Sequence, residues 1–285
     1  MKNKERYVFD FFKKTNSLDY YSASRNKLKY LFKIVKKIFF KYYYFLAENR
    51  DVKFFGTPYG GWYFSDKKLP NQMIVVSAGV GEDVSFDIEL MNNFQAKLFL
   101  IDPTPRAISY IQKIINNLGN EKTMSYDESS GCQPIESYDL SNIKLDDLIF
   151  IKKALYNKSQ KTIKFYAPPN KKFVSHSISN FQNSFSKDTD FIEVKTIIMK
   201  DIVSENNIGE IDLLKLDIEG AENQVIPNIL RDKIFPKQIL VEFDELSTRF
   251  IKPYLKAMFI FTYLKLNNYT LVKTEDFPNF LFLRE

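Results

Sequence analysis

Short apolar runs alternate with helix-type patterns along most of this chain, and this alternation limits the possible folds more than any other feature. Each run is only four to six residues long, which suits a buried strand, and the segments between the runs repeat apolar residues at helical spacing. Strands that alternate with helices are typical of a mainly parallel sheet covered on both faces. We therefore expect a doubly wound α/β fold built on the runs at residues 74–77, 98–101, 148–151, 211–216 and 239–243.

The patterns between the runs predict the helices and the order of the remaining strands. Thr104 is expected to cap the helix after the second run, with Pro105 at its first position. Pro227 is expected to kink or restart the helix after the fourth run. A longer helix is predicted near the carboxyl terminus. It is predicted at residues 247–266. Two extra strands are predicted at residues 162–167 and 191–198, and a closing antiparallel hairpin at residues 269–273 and 280–283.

The bulk composition is that of a globular protein. Of its 285 residues, 45% are hydrophobic, which is enough to bury a full core. No uninterrupted apolar stretch reaches the length of about 18 residues that marks a transmembrane helix, and the amino terminus has no apolar signal segment. The single cysteine, Cys132, excludes an internal disulfide and a metal site built on several cysteines. We expect a cytoplasmic protein.

The charge of the chain favours acidic partners without pointing to nucleic acid. The formal net charge is +6, and Lys is largely interspersed with Asp and Glu. Such a balance suits acidic sugars, phosphorylated carriers or a membrane surface. No zinc-finger, helix-turn-helix or RNP-like pattern is present in the sequence, so nucleic-acid binding is not expected.

Two glycines, Gly79 and Gly81, follow the first run in a chain that has only 9 glycines. Ligands of open parallel sheets bind at the carboxyl ends of the strands, and glycine lets a ligand lie against the backbone. The second run ends in Asp102, about 20 residues after this turn, where a carboxylate is placed to accept both hydroxyls of a ribose. The alternatives are an ordinary strand-to-helix turn and a helix-capping Asp.

The residues after the glycines discriminate between nucleotides. A dinucleotide fingerprint would place glycine where this chain has Val84, and Glu82 and Asp83 would repel a pyrophosphate. No P-loop sequence occurs in the chain. The turn therefore favours a cationic, phosphate-free nucleoside, and S-adenosylmethionine has this chemistry. An NAD-linked oxidoreductase and a non-catalytic accessory protein of the same fold are the alternatives.

Four segments of the chain resemble the FkbM-type S-adenosylmethionine-dependent methyltransferases over roughly residues 59–285. They are V-V-S-A-G-V-G-E-D-V-S-F-D, L-I-D-P-T-P-R-A, L-L-K-L-D-I-E-G-A-E-N-Q-V-I and L-V-E-F-D. The resemblance implies a Rossmann-like sheet of seven strands with the seventh antiparallel. It also implies methyl transfer to a hydroxyl of a glycan, glycolipid or natural product, in a role such as polysaccharide biosynthesis.

The resemblance also suggests a cofactor site. Ser77 stands where the family more often has an acid that contacts the methionine ammonium, so Glu82 or Asp83 is expected to take that contact. Backbone and apolar contact with the adenine is expected from two residues after the third run. The expected cofactor residues are Ser77, Gly79, Gly81, Glu82, Asp83, Ser85, Asp102, Pro103, Ala154 and Leu155.

Acids at the ends of the fourth and fifth runs are the candidates for catalysis. Asp217 is expected to lie beside the methyl acceptor, and Glu219 is expected to bind the substrate or act as the base. Both side chains can line the site, because residues two apart on an extended segment point the same way. Gly220 is expected to turn the chain into a helix. His176, the only histidine, is a second base candidate if it is not structural.

The acceptor is expected to contact Glu242, Asp244 and Trp62. Carboxylates in these positions suit acceptor hydroxyls, and they also suit a divalent cation. Binding of hydroxyls requires less coincidence, so no metal is expected. Glu222 is expected to support the first turn of the following helix electrostatically.

Residues 1–70 form a separate helical, aromatic and basic segment in this interpretation, ahead of a catalytic domain at residues 71–285. Lys29, Lys33 and Lys41 belong to a basic stripe on a predicted helix, and a hairpin around Trp62 is expected to cover the cofactor. The helix is expected to pack on the catalytic domain or on a second subunit of a homo-oligomer. The alternative is peripheral contact of residues 28–46 with a membrane, at its inner face.

Overall fold

The computed structural model describes residues 25–67, 69–168, 176–178, 180, 183, 186 and 188–285. Strands and helices alternate through most of this part of the chain, as the apolar runs predict. The strands are β1 (Lys53–Phe55), β2 (Trp62–Phe64), β3 (Ile74–Ala78), β4 (Lys97–Ile101), β5 (Leu148–Ile151), β6 (Ala154–Leu155), β7 (Thr162–Tyr166), β8 (Phe191–Ile197), β9 (Leu213–Leu216), β10 (Gln238–Glu242), β11 (Tyr269–Val272) and β12 (Asn279–Arg284). The α-helices are α1 (Arg25–Leu46), α2 (Ser85–Phe94), α3 (Pro105–Asn116), α4 (Met199–Glu205), α5 (Glu222–Arg231) and α6 (Ile251–Leu266).

Seven of these strands form one sheet in the order β11-β12-β10-β9-β3-β4-β5. Neighbours from β10 to β5 pair in parallel, and β12 is antiparallel to both β10 and β11. The predicted Rossmann-like, seven-stranded sheet with an antiparallel last strand is therefore confirmed. The strand order reverses between β3 and β9, so their carboxyl ends form the edge where such sheets bind ligands.

The sheet is buried on both faces, which explains why its strands are almost continuously apolar. On one face Val75 packs in a core with Phe86 and Ile111 of α2 and α3. On the other face Val76 packs in a core that includes Ile226 of α5 and Phe261 of α6. The predicted strands at residues 162–167 and 191–198 correspond to β7 and β8, and β8 lies between β7 and β6 in a separate three-stranded sheet.

Two details of the helices differ from the sequence-based expectations. Thr104 does occupy the cap position before Pro105, but its hydroxyl donates to Asp102 Oδ1 at 2.6 Å instead of capping the helix. Helix α5 continues through Pro227 and does not restart there. Ile226 and Ile229, on either side of this proline, are buried in the core. Their packing stabilises the helix where Pro227 lacks a backbone N–H to donate.

The N-terminal elements pack on the sheet domain. Phe39 of α1 meets the rings of Tyr254 and Phe261 on α6 and of Phe280 on β12. Strands β1 and β2 pair antiparallel, and Gln238 joins the end of this hairpin to the sheet through two hydrogen bonds with the backbone of Ser65. Across the described ranges, no helix combines the length and the apolar character needed to span a membrane.

Candidate active site

A cleft of about 890 Å³, a volume that includes space open to solvent, lies at the carboxyl ends of β3, β4, β9 and β10. Most of the residues predicted for the cofactor, the acceptor and catalysis line it, although they come from distant parts of the chain. These are Trp62, Gly79, Gly81, Glu82, Asp83, Asp102, Pro103, Ala154, Leu155, His176, Asp217, Glu219 and Glu242.

Ser77, Ser85 and Asp244 are not among the lining residues. Ser77 and Ser85 have no exposed surface. Ser77 lies on the same face of β3 as Val75, and the Ser85 hydroxyl accepts a hydrogen bond from Thr57 N–H at 2.9 Å. The expectation that these two side chains contact a cofactor is therefore corrected, because both point into the protein instead of the cleft.

Gly79 is required by the protein's own backbone. Its φ is +81°, and a Cβ at this position would lie 1.5 Å from the carbonyl oxygen of Asp217. The Gly79 N–H donates to Ile101 O at 3.0 Å, while Asp217 N–H donates to Ala78 O at 2.9 Å. The missing side chain thus lets the ends of β3 and β9 approach each other, which brings the glycine turn and Asp217 into one site.

Asp102 fixes the shape of the glycine turn. Its Oδ2 accepts hydrogen bonds from the N–H groups of Val80 and Gly81, at 3.0 and 3.1 Å. Its Oδ1 accepts from the N–H and the hydroxyl of Thr104, at 2.8 and 2.6 Å. The carboxylate at the end of β4 therefore already organises the turn before any ligand is considered, a role that the sequence analysis did not anticipate.

The two acids after the glycines are both engaged by the protein. Glu82 forms an ion pair with Arg106 at the start of α3. Asp83 accepts a hydrogen bond from the Thr57 hydroxyl at 2.6 Å and another from Ser85 N–H at 2.9 Å. Asp83 thereby ties the hairpin loop to the start of α2.

Lys215 is a buried cation that the sequence analysis missed. It lies in the apolar strand β9 and is 3% exposed, and its Nζ donates to Gly79 O at 3.0 Å. The same Nζ lies 5.5 Å from the centre of the Trp62 ring. The available signal was a lysine inside the run L-L-K-L, because a lysine in a fully buried strand requires specific partners.

Asp217, Glu242 and Asp244 form a compact acidic cluster at the ends of β9 and β10. One carboxylate oxygen of each lies within 4.8 Å of the others. Burial raises the pKa of Asp217 to about 7; the nearby Lys215 ammonium opposes this shift, and Asp244 and Asp102 add to it. Burial also raises the pKa of Glu242, with Asp217 and Asp244 adding to the effect. The cluster therefore holds protons near neutral pH, and its oxygen set also suits a divalent cation.

The turn after β9 differs from the extended segment that we expected. Glu219 has a φ of +51° and Gly220 a φ of +96°, so the chain folds sharply. Glu222 accepts hydrogen bonds from the N–H groups of Ile218 and Gly220, at 2.9 and 3.3 Å. Asp217 and Glu219 both reach the cleft because of this turn. Glu222 stabilises this turn through hydrogen bonds to two backbone N–H groups, whereas we expected only electrostatic support of the first turn of the helix.

His176 lines the cleft, and the contacts of the next residue, Ser177, hold it there. The Ser177 hydroxyl donates to Glu219 O at 2.6 Å, and Ser177 forms a bridge with Tyr166 at the end of β7. These contacts attach the His176 segment to the turn that carries Glu219. The structure therefore brings the second base candidate to the same cleft as Asp217.

The loop before β2 covers one side of the cleft. The ring of Tyr59 lies against Gly131, because a Cβ added to Gly131 would be 2.5 Å from the nearest carbon of the Tyr59 ring. A Cβ on Gly60 would likewise lie 2.5 Å from the Asp83 carboxyl carbon. Burial raises the pKa of Tyr59, and Asp217 and Glu219 add to the shift. Tyr59, which the predicted site did not include, thus faces the acids across the cleft.

Comparison with known proteins agrees with this geometry. The family model described as "Methyltransferase FkbM domain" matches residues 68–271, which is more than half of the chain. A search of curated proteins finds no significant match. The matched range contains the glycine turn, Asp102, Lys215 and the acidic cluster. The chain belongs to the FkbM methyltransferase family.

Proposed function

We propose that this protein is an S-adenosylmethionine-dependent O-methyltransferase that acts on a hydroxyl of a glycan, glycolipid or related molecule. One observation supports this most strongly. A carboxyl group whose pKa is raised to about 7, that of Asp217, lines the same cleft as a glycine turn at the switch point of the sheet. A base with a pKa near the working pH is well suited to take a proton from a hydroxyl.

The charges of the cleft support the choice of cofactor. Among the residues that the structure describes, its lining includes six acids, Glu82, Asp83, Asp102, Asp217, Glu219 and Glu242, and one lysine, Lys215. Such a lining attracts a sulfonium and an ammonium and repels a pyrophosphate, which argues against NAD. Gly79, Gly81, Asp102 and Pro103 would hold the nucleoside, with Ala154 and Leu155 on its apolar side. When bound, S-adenosylmethionine supplies an electrophilic methyl group.

Asp217 is the proposed general base. Its carboxylate takes the proton of the acceptor hydroxyl, which makes the oxygen a better nucleophile; an oxygen electron pair would form the new C–O bond, and the pair of the broken C–S bond would stay on sulfur. Burial and the like charges of Asp244 and Asp102 keep the Asp217 pKa high, and Lys215 and a hydrogen bond with Glu242 limit that rise. The proton subsequently leaves to solvent through the open side of the cleft.

The rim of the cleft supports a hydroxyl-rich acceptor. Glu219, Glu242, Asn279, His176 and Tyr59 line it, and together they offer both hydrogen-bond donors and acceptors. These features favour a sugar over an apolar acceptor.

Transfer of a labelled methyl group tests the proposal. We expect the protein to move label from S-adenosylmethionine into a glycan or glycolipid fraction of a host extract, with S-adenosylhomocysteine as the other product. The incorporated label should resist mild alkali, because a methyl ether is stable where a methyl ester is hydrolysed. Release of the label by alkali, or transfer only to amines, would contradict O-methylation.

Chelation separates the two chemical roles that the acidic cluster can have. We expect the transfer rate to be unchanged by EDTA, since the proposal assigns the cluster to protons. A rate that disappears with EDTA and returns with Mg²⁺ would reassign Asp217, Glu242 and Asp244 to cation binding.

A further inference from the structure

Helix α1 carries a positive charge as large as the net charge of the whole chain. It carries Arg25 and six lysines and no acidic residue, a charge of +7. The whole chain has a net charge of +6, so its other residues together carry −1. The interspersed charges that the sequence analysis describes therefore hold for the catalytic domain and not for this helix.

The lysines of α1 lie in a line beside exposed apolar side chains. Lys29, Lys33, Lys37 and Lys41 are all exposed and repeat every four residues, so they follow one another along the helix surface. Ile34, Ile38 and Phe45 lie on the adjacent stripe, at 36%, 49% and 81% exposure. Packing on α6 does not use this stripe, because the buried face of α1 carries Phe39, Tyr43 and Leu46.

We infer that α1 binds the surface of an anionic lipid bilayer and lies in its plane. A helix with a basic line next to an apolar stripe inserts the apolar side chains among the acyl chains and pairs its lysines with lipid phosphates. The apolar stripe favours a bilayer over a nucleic acid, because a nucleic-acid backbone provides no apolar region in which Ile38 and Phe45 would be buried. This inference is independent of the proposed methyl transfer.

The helix also lies close to the rim of the cleft. Phe40 meets the ring of Phe277 at 5.4 Å, and the Tyr43 hydroxyl donates to Thr274 O at 3.2 Å. Both partners belong to the loop between β11 and β12, and Asn279, the first residue of β12, lines the cleft. Helix α1 therefore packs on the loop that leads to one of the residues lining the cleft.

Vesicle flotation of the full chain tests this inference. At moderate salt we expect the protein to float with vesicles of phosphatidylcholine and phosphatidylglycerol and to remain unbound with phosphatidylcholine alone. Replacing Lys29, Lys33, Lys37 and Lys41 by Gln should weaken partition at least about tenfold. The double variant Ile38→Ser, Phe45→Ser should weaken it by a similar factor.

The matched control replaces Lys97, Lys113, Lys144 and Lys195 by Gln, which changes the net charge equally at exposed positions elsewhere. It should keep partition within about twofold of the original. All of these substitutions are at exposed residues, so each variant should retain its unfolding temperature. Three results would overturn the inference: no flotation with anionic vesicles, full flotation of the Ile38 and Phe45 variant, or an equal loss in the control. Conversion of a dimer to a monomer by the Ile38 and Phe45 variant, without loss of flotation, would assign the stripe to a second copy instead.

Discussion

Asp217→Asn is expected to lower the rate of methyl transfer at least about a hundredfold, because removal of a general base typically has an effect of that size or more. In the unmodified protein the rate should rise with pH through about pH 7, as the cluster that contains Asp217 loses a proton. The Asn variant should lose this pH dependence as well as the rate. Measurement of the transfer rate between pH 5.5 and 9 checks both parts.

The same substitution is expected to stabilise the fold at alkaline pH. Burial raises the pKa of the folded-state Asp217 carboxyl from 3.8 to about 7, so its contribution to stability is fully present below pH 4 and is lost progressively as pH rises from about 4 through 7. By pH 8 this loss is on the order of 2–4 kcal/mol. Asn cannot ionise, and urea unfolding should therefore show a gain for Asp217→Asn that is clearly larger at pH 8 than at pH 5.

Asp146→Asn is the matched control, because Asp146 is exposed and lies outside the cleft. It should change neither the rate nor the difference in stability between the two pH values. An Asp217→Asn variant that retains the original rate would remove the base assignment, even if its stability changes as expected.

Gly79→Ala is expected to destabilise the protein by at least about 3 kcal/mol, or to prevent folding. The new Cβ would lie 1.5 Å from the Asp217 carbonyl oxygen, and the φ of +81° is unfavourable for alanine. The ends of β3 and β9 would have to separate, and this would also displace Asp217 from the glycine turn. Urea unfolding, with cofactor binding measured on any folded fraction, provides the test.

Gly209→Ala is a suitable control, because a Cβ at Gly209 meets no atom within 4 Å and its φ is not in the left-handed region. Its free energy of unfolding should stay within about 0.5 kcal/mol of the original value. If Gly79→Ala were equally mild, the close approach of β3 and β9 described here would be wrong.

The strand runs and the glycine turn made the fold and the position of the site predictable from the sequence. Buried parallel strands are apolar on both faces, so runs such as Val75 and Val76 stand out, and acids at strand ends must collect at one edge of the sheet. Asp102, Asp217 and Glu242 were found in this way.

What the sequence did not reveal depends on side-chain direction and on backbone conformation. Ser77 lies at the carboxyl end of a strand, but its side chain points to the face of the sheet away from the cleft. Its match to a position of the family motif does not reveal this direction. Glu219 adopts a left-handed conformation that no local pattern announces in a residue other than glycine. Lys215 lies inside an apolar run, and its partners, Gly79 and Trp62, are far away in the chain.

Calorimetric titration with S-adenosylmethionine tests most directly the claim that the glycine turn and Asp102 hold this cofactor. We expect one binding site in the unmodified protein, no binding of NADH, and affinity at least about tenfold lower in Asp102→Ala, a loss of about 1.4 kcal/mol. Asp102→Asn, which keeps an acceptor oxygen for part of the turn, should fall between the two. Absence of heat with S-adenosylmethionine, or binding of NADH in its place, would contradict the account.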